Sequence, residues 1–527
     1  MAPQIKYTKL FIDNEWVDAK SGKTFETRSP HDGSVIAKVA EGDKADIDLA
    51  VAAAKRAFHR NSEWRLLDAS QRGRLLNKFA DLVERDFKYL AELESFNNGM
   101  VLKNATMIMS GAGNTIRYLA SLADKIQGDT IPADGDTFAY TLKQPVGVCG
   151  LILPWNVPIL MFFNKVVTAL AAGCTVVVKP AEQTPLTALA LAALLAEAGI
   201  PKGVVNIVNG YGETAGVALT HHKDVAKISF TGSLEVGKLI QQAAGANNLK
   251  RVTLELGGKS PLIIMDDADL NLAVPWAANA VFFHQGQICV AASRLFVQSG
   301  IYDKFVEAAV KYAKTIKVGN PADDDTTNGP QIDEEMMNKV LRYIETGQKE
   351  GAKLLAGGKR LGSSGYYIEP TVFVDVKDDM TIAKEEIFGP VQSILKFDTL
   401  EEVIDRANDT TYGLAAGIFT TNLNNALQFS KHSEAGTVWV NTYLVLDSHT
   451  PFGGFKESGL GREGGLNCVD AYLEVKTVVM TQPKKFLILV RNAILVILYY
   501  AKYNSFYETK ALTSLSKYVV IIKFKNI

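Results

Sequence analysis

Apolar residues change their spacing along this chain, and those changes mark out its elements. Over residues 44–58 they recur at helical intervals, at Ile47, Leu49, Val51, Ala54 and Phe58. The same period predicts helices over residues 71–94 and 104–126. Ahead of them, residues 8–20 read as two short strands about the turn Asp13-Asn14. Near Pro145 the pattern tightens into near-continuous apolar runs: VGVCGLIL (146–153), CTVVVKP (174–180), VVNIVNG (204–210) and VAKISFTG (225–232). Such runs suit strands buried on both faces of a parallel sheet. Helical segments rich in Ala and Leu, notably 184–198, lie between them. The alternation implies right-handed βαβ units and a doubly wound α/β sheet. From about Lys259 a second alternation begins, with helices over 268–284, 301–315 and 333–350 and strand runs PLIIM (261–265) and SRLFVQ (293–298). It predicts a second α/β layer with its own core.

Composition adds bounds. A chain of 527 residues is too long for one hydrophobic core. Apolar residues at 47% and charged residues at 21% exclude a disordered protein. A net charge of −1, without an arginine–aromatic cluster, gives no sign of a nucleic-acid partner. The four cysteines, Cys149, Cys174, Cys289 and Cys468, are scattered, with no ligand spacing for a metal and no disulfide framework. The seven histidines are scattered too. MAPQIKYTKLFIDNEW has no signal-like apolar core, so a cytoplasmic protein is expected. Residues 484–527 form an atypical tail rich in Ile, Leu, Phe, Tyr, Lys and Asn. Its apolar part, 486–501, is broken by Arg491 and Asn492 and falls short of the ~20 apolar residues of a membrane helix.

Several segments carry candidate chemistry. Cys289 lies in FFHQGQICVAASR (282–294), among small residues. Alone, it reads as a small core side chain. Glu255 sits inside the apolar run RVTLELGGKSP (251–261), where burial would raise its pKa and poise it as a general base. On an edge strand it would simply face solvent. Asn156, in LILPWNVP (151–158), follows a strand at the carboxyl end, where doubly wound sheets bind ligands. Its amide can donate to an oxyanion, or merely make a turn beside two prolines. GSLEVG (232–237) opens a helix after a strand, a setting that suits a pyrophosphate, although it is not GxGxxG. In KPAEQTP (179–185), Lys179 and Glu182 can flank a ribose, and an acidic side chain there favours NAD over NADP. The alternative is a solvated turn before a helix capped by Thr184.

Together these segments resemble the aldehyde dehydrogenase superfamily. The resemblance runs from about residue 8 to residue 483. It is carried by PWN (154–156), KPAEQTP (179–185), FTGSLEVG (230–237), LELGGKSP (254–261), GQIC (286–289), EEIFGPV (385–391) and PFGGFKESGLGRE (451–463). It implies an NAD-binding domain of Rossmann type over 1–126 and 146–257 and an α/β catalytic domain over 258–457. It also implies a small β oligomerisation flap over 127–145 and 473–483. By the resemblance, Cys289 is the nucleophile, Glu255 the base that activates water, and Asn156 with the Cys289 N–H the oxyanion hole. Ile152, Trp155, Lys179, Glu182, Gly212, Gly216, Phe230, Gly232, Ser233, Val236, Gly237, Leu256, Glu386 and Phe388 would contact NAD. Acylating relatives that use coenzyme A typically lack a glutamate at position 255, so its presence favours hydrolysis to a free acid.

The class most similar to this chain includes tetrameric retinal and acetaldehyde dehydrogenases, so a homotetramer, or else a dimer, is expected. Leu122, Val157 and Asn164 stand where acetaldehyde-preferring members carry large aromatics. Met161, Phe283, Leu444 and Phe452 complete the implied substrate pocket. The smaller side chains predict a wider tunnel for longer or bulkier aldehydes. Leu444 and Leu446 supply neither the acidic nor the aromatic group that a cationic aldehyde needs. Ile288 and Val290 flank the nucleophile with no further thiol. His284, five residues before Cys289, is read as non-catalytic. A crystallin-like NAD-binding protein and a membrane-anchored fatty aldehyde dehydrogenase are the other readings.

Overall fold

The computed structural model describes residues 2–481. The expected end of the flap at 483 and the tail 484–527 lie outside the described residues. Those described form two compact units: 2–126 with 144–474, and 127–143 with 475–481.

The larger unit holds two sheets. In the first, five parallel strands run in the order Arg251–Glu255, Lys227–Thr231, Val148–Ile152, Thr175–Lys179 and Val205–Ile207. Val148–Ile152 and Thr175–Lys179 are buried along their whole length. That is why they read as apolar runs rather than alternating ones. The predicted hairpin is present as Leu10–Ile12 and Glu15–Val17, with Asp13 and Asn14 both at positive φ in the turn. It extends one edge of the sheet, and Gly459–Leu460 closes the other.

Chain order along the parallel strands reverses between Val148–Ile152 and its neighbour Lys227–Thr231. The crevice outside the strands' carboxyl ends at such a reversal is where open α/β sheets bind ligands. Register places Lys179, Ile152, Phe230 and Leu254 in one row at that end, with Glu255 one step beyond, opposite Thr231.

The second sheet orders Lys353–Ala356, Thr371–Val374, Val391–Phe397, Arg294–Gln298, Pro261–Ile264, Ala415–Phe419 and Thr437–Val440. Only its first pair is antiparallel. Leu270–Phe282 and Tyr302–Ala313 pack into one of its cores, and Glu334–Lys349 into the other.

Two predicted helices are each divided. Residues 71–94 belong to Ala69–Arg85 and Phe87–Asn98, separated at Asp86. Residues 104–126 hold Leu102–Ser110 and Ala112–Ser121, separated at Gly111. Apolar spacing continues across both breaks because both halves bury a face in the same core. The helix Leu186–Ala198 is not capped by Thr184, whose hydroxyl is buried without a partner. Its first N–H, on Leu186, donates instead to Asn97 Oδ1 at 3.2 Å.

The smaller unit is built on a three-stranded sheet ordered Leu473–Thr481, Thr137–Pro145 and Thr130–Ile131. It exposes Val475, Val479 and Met480.

Candidate active site

Asn156 occupies the turn that leaves the strand Val148–Ile152. Pro158 begins the next helix, Pro158–Phe162, at a position where its missing N–H costs nothing. Asn156 Nδ2 donates to Gln287 O at 2.8 Å, and its Oδ1 accepts from the Val157 N–H at 3.0 Å. Both ends of the amide are thereby assigned, and one N–H remains.

Cys289 follows the helix Leu270–Phe282 through three consecutive left-handed residues, His284, Gln285 and Gly286. Gly286 has no alternative here. Its φ is +74°, and a Cβ on it would lie 2.0 Å from Gly389 O. The turn presents Cys289 half-buried. Burial, then the charges of Glu255 and Glu386, push its thiol well above the usual range. A thiol so placed rests protonated and needs a base to become a nucleophile.

Glu255 ends the strand Arg251–Glu255 and is buried, with no protein partner for Oε2. Burial first, and the neighbouring Glu463 second, hold its carboxyl well above the ordinary range, against Lys165 and Arg462. Lys165 is fully buried on a π-helical turn, Phe163–Val167, where it donates to Ser229 Oγ at 3.1 Å and pairs with Glu463.

The implied cofactor residues surround the same crevice. Lys179 Nζ donates to Pro180 O at 3.0 Å and to Glu182 Oε2 at 3.1 Å. Ser233 is the N-cap of the helix Leu234–Ala246 and accepts from Val236 N. Gly232 precedes it and Gly237 lies within it, packed on Leu256. The π-helical turn Gly212–Gly216 follows the strand Val205–Ile207, and Gly216 lies against the Lys179 side chain. Ile152, Phe230 and Leu256 are buried behind these turns. From the second sheet's side, Glu386 accepts from the Gly258 N–H at 3.2 Å, and burial pushes its carboxyl up to about 7. A Cβ on Gly257 would meet Glu386 Oε2 at 2.3 Å. Phe388, itself left-handed, meets Trp155 edge-on with ring centroids 5.3 Å apart.

Val157, Met161, Asn164, Phe283, Leu444 and Phe452 are half-buried, whereas Leu122 is 3% exposed inside the first core. Asn164 lines a polar cavity with Thr168, Thr253, Arg462, Glu463, Cys468 and Tyr472.

Sequence reasoning missed a group of buried residues behind Asn156. Glu94 Oε1 accepts from the Ile159 N–H at 3.0 Å, and Asn98 Nδ2 donates to Asn156 O at 3.0 Å. His284 turns its ring to the same oxygen, with Nε2 at 2.8 Å. Lys165 and Glu463 were missed as well. These contacts join distant segments, so no local motif announces them. Among the described residues, no group of three or more His, Cys, Asp or Glu side chains could hold a metal ion.

A doubly wound sheet that carries the buried Glu255 at its switch-point end, with a second α/β layer bringing the Cys289 thiol towards it, marks the class of α/β enzymes that bind a ligand at the switch point. The chain belongs to the aldehyde dehydrogenase family, which its residues 16–478 match, and it acts on the aldehyde group. It is 57% identical over 483 residues to aldehyde dehydrogenase 1A1 of Rattus norvegicus, spanning 92% of this chain and 96% of that protein. Identity and coverage are the same for the rat protein named aldehyde dehydrogenase, cytosolic 1. The NAD+ complex of an aldehyde dehydrogenase from Bacillus cereus is 47% identical, with a TM-score of 0.89. The match covers 90% of this chain and 97% of that one.

Proposed function

We propose that this enzyme oxidises aldehydes to carboxylic acids through a thioester on Cys289. The observation that carries the reading is the convergence of Cys289, Asn156 and buried Glu255 at the switch-point end of the first sheet. The Cys289 thiol gives its proton to solvent water, and its sulfur attacks the aldehyde carbon, forming the S–C bond as the C=O π bond breaks. The carbonyl oxygen becomes an oxyanion, held by the remaining Asn156 N–H and the Cys289 backbone N–H. Such donors, fixed before the reaction, cost nothing to reorganise as charge develops. NAD is the cofactor, and when bound it accepts the hydride from the tetrahedral carbon. Glu255 then takes a proton from water, the resulting hydroxide attacks the thioester carbon, and the carboxylic acid leaves as the thiol reforms.

The residues present fit NAD. Ser233 caps a helix whose N-terminus opens at the switch point, a setting for a pyrophosphate. Lys179 holds the half-exposed Glu182 carboxylate in place for a ribose hydroxyl. Glu386 and Phe388 approach from the other sheet. Residues 1–126 and 146–257 would thus hold the cofactor, and residues 258–457 the nucleophile.

The substrate class we propose is medium-chain, aromatic or retinal-like aldehydes. The reading rests on Val157 and Asn164, both half-buried, which stand where the resemblance implies large aromatics. Leu122 contributes only from within the core. Each buried methylene is worth about 0.8 kcal/mol, so kcat/KM for hexanal should exceed that for acetaldehyde by about tenfold or more. NADH formation across acetaldehyde, hexanal, benzaldehyde and retinal measures it. A preference for acetaldehyde would refute the wide tunnel.

We also propose a cytoplasmic homotetramer. The exposed Val475, Val479 and Met480 of the three-stranded sheet support association, because apolar strand surface is otherwise a liability. A relative named cytosolic supports the location. Sedimentation of the full chain is expected to give the mass of four copies. A monomer would contradict the proposal. Neither alternative function draws support. No helix among the described residues is long and apolar enough to cross a membrane.

A further inference from the structure

We infer that Glu94 and Asn98, with His284, are positioning residues that set the orientation of the Asn156 oxyanion donor. The inference rests on the catalytic reading of Asn156 above. Glu94 and Asn98 stand four apart on the helix Phe87–Asn98, so they share one face. Both are buried, and their hydrogen bonds converge on residues 156–159. Glu94 fixes the Ile159 N–H and is itself held by Thr187 Oγ1 at 2.7 Å. Asn98 Oδ1 accepts from the Met100 N–H at 2.9 Å, which leaves its Nδ2 as the donor to Asn156 O.

His284 supplies the second donor to that oxygen. Burial pushes its pKa down to about 4, so the ring is neutral in the working range and carries one N–H. The contact with a carbonyl assigns that hydrogen to Nε2. His284 is held there at φ +46°. A left-handed backbone is strained at a residue that carries a side chain. The same helix end reaches the nucleophile's loop, where Gln285 Nε2 donates to Gly99 O at 3.4 Å. Segment Glu94–Gly99 is therefore a jig that touches the donor's turn on one side and the thiol's turn on the other.

A displacement of about 1 Å at a preorganised donor can cost 10²-fold in rate. The test is a double-mutant cycle of Asn98→Ala with Asn156→Ala, read as kcat, together with the Kd for NAD. Asn98→Ala should lower kcat by about 10- to 100-fold and leave the Kd for NAD within about twofold. In the Asn156→Ala background the same change should cost less than about twofold. A loss of equal size in both backgrounds, or none in the parent, overturns the inference alone. Unchanged kcat in Asn156→Ala overturns the oxyanion reading and the inference with it. Asn98→Ser carries the same cycle with a smaller disturbance of the helix end should the alanine variant not fold.

Discussion

Cys289→Ala should abolish aldehyde-dependent NADH formation, with a loss on the order of 10⁴–10⁶ in kcat. Alanine fits the space of the thiol, and the turn that shapes the loop is made by His284, Gln285 and Gly286, not by Cys289. Fold and cofactor binding should therefore persist. NAD binds against Ser233, Glu182, Glu386 and Phe388 in this account, so its Kd should change less than about threefold. Loss of the cofactor together with activity would mean the substitution had disturbed the loop. Retention of activity would remove covalent chemistry at this thiol.

Glu255→Gln carries the second large effect. General-base catalysis is worth about 10²–10⁴ in rate, and kcat for steady turnover should fall by that order. The first half-reaction consumes no water as nucleophile and sends the thiol proton to solvent rather than to Glu255, so one equivalent of NADH per site should still appear as a burst. The pH dependence has a definite sign. Burial and Glu463 raise the Glu255 pKa, so the carboxylate is lost to protonation well above the ordinary range as pH falls. In the parent enzyme, kcat should drop on the acidic side of that raised value and level off above it. In Glu255→Gln that acidic limb should vanish. The same limb surviving in the variant would assign it to another group, such as Glu386, whose pKa is also raised.

Much of the fold was legible because the strands of the first sheet are covered on both faces. VGVCGLIL and CTVVVKP hold Val148–Ile152 and Thr175–Lys179, whose interior positions are all apolar. The helix breaks at Asp86 and Gly111 were not legible, since apolar spacing reports burial and both sides of each break are buried alike. Cys289, Glu255 and Asn156 stood in motifs specific enough to find. Behind them, Asn98 reaches Asn156 across 58 positions and Glu94 reaches Ile159 across 65. A buried Glu or Asn on a helix carries no signal of its partner until the helix is placed. Leu122, whose expected pocket position came from resemblance, is 3% exposed and packs in the same core that Val157 and Met161 border. His284 was set aside as a partner for the thiol, and its ring indeed turns to Asn156 O.

The proposed mechanism turns on a thioester between the substrate carbon and Cys289. Intact-protein mass spectrometry of Glu255→Gln, acid-quenched after mixing with NAD and hexanal, reads that bond directly. A hexanoyl adduct on Cys289 should appear in step with the NADH burst, and none when Cys289→Ala is added to the same variant. An equivalent of NADH formed while Cys289 stays unmodified would show that hydride leaves without a covalent intermediate, and the mechanism proposed here would be wrong.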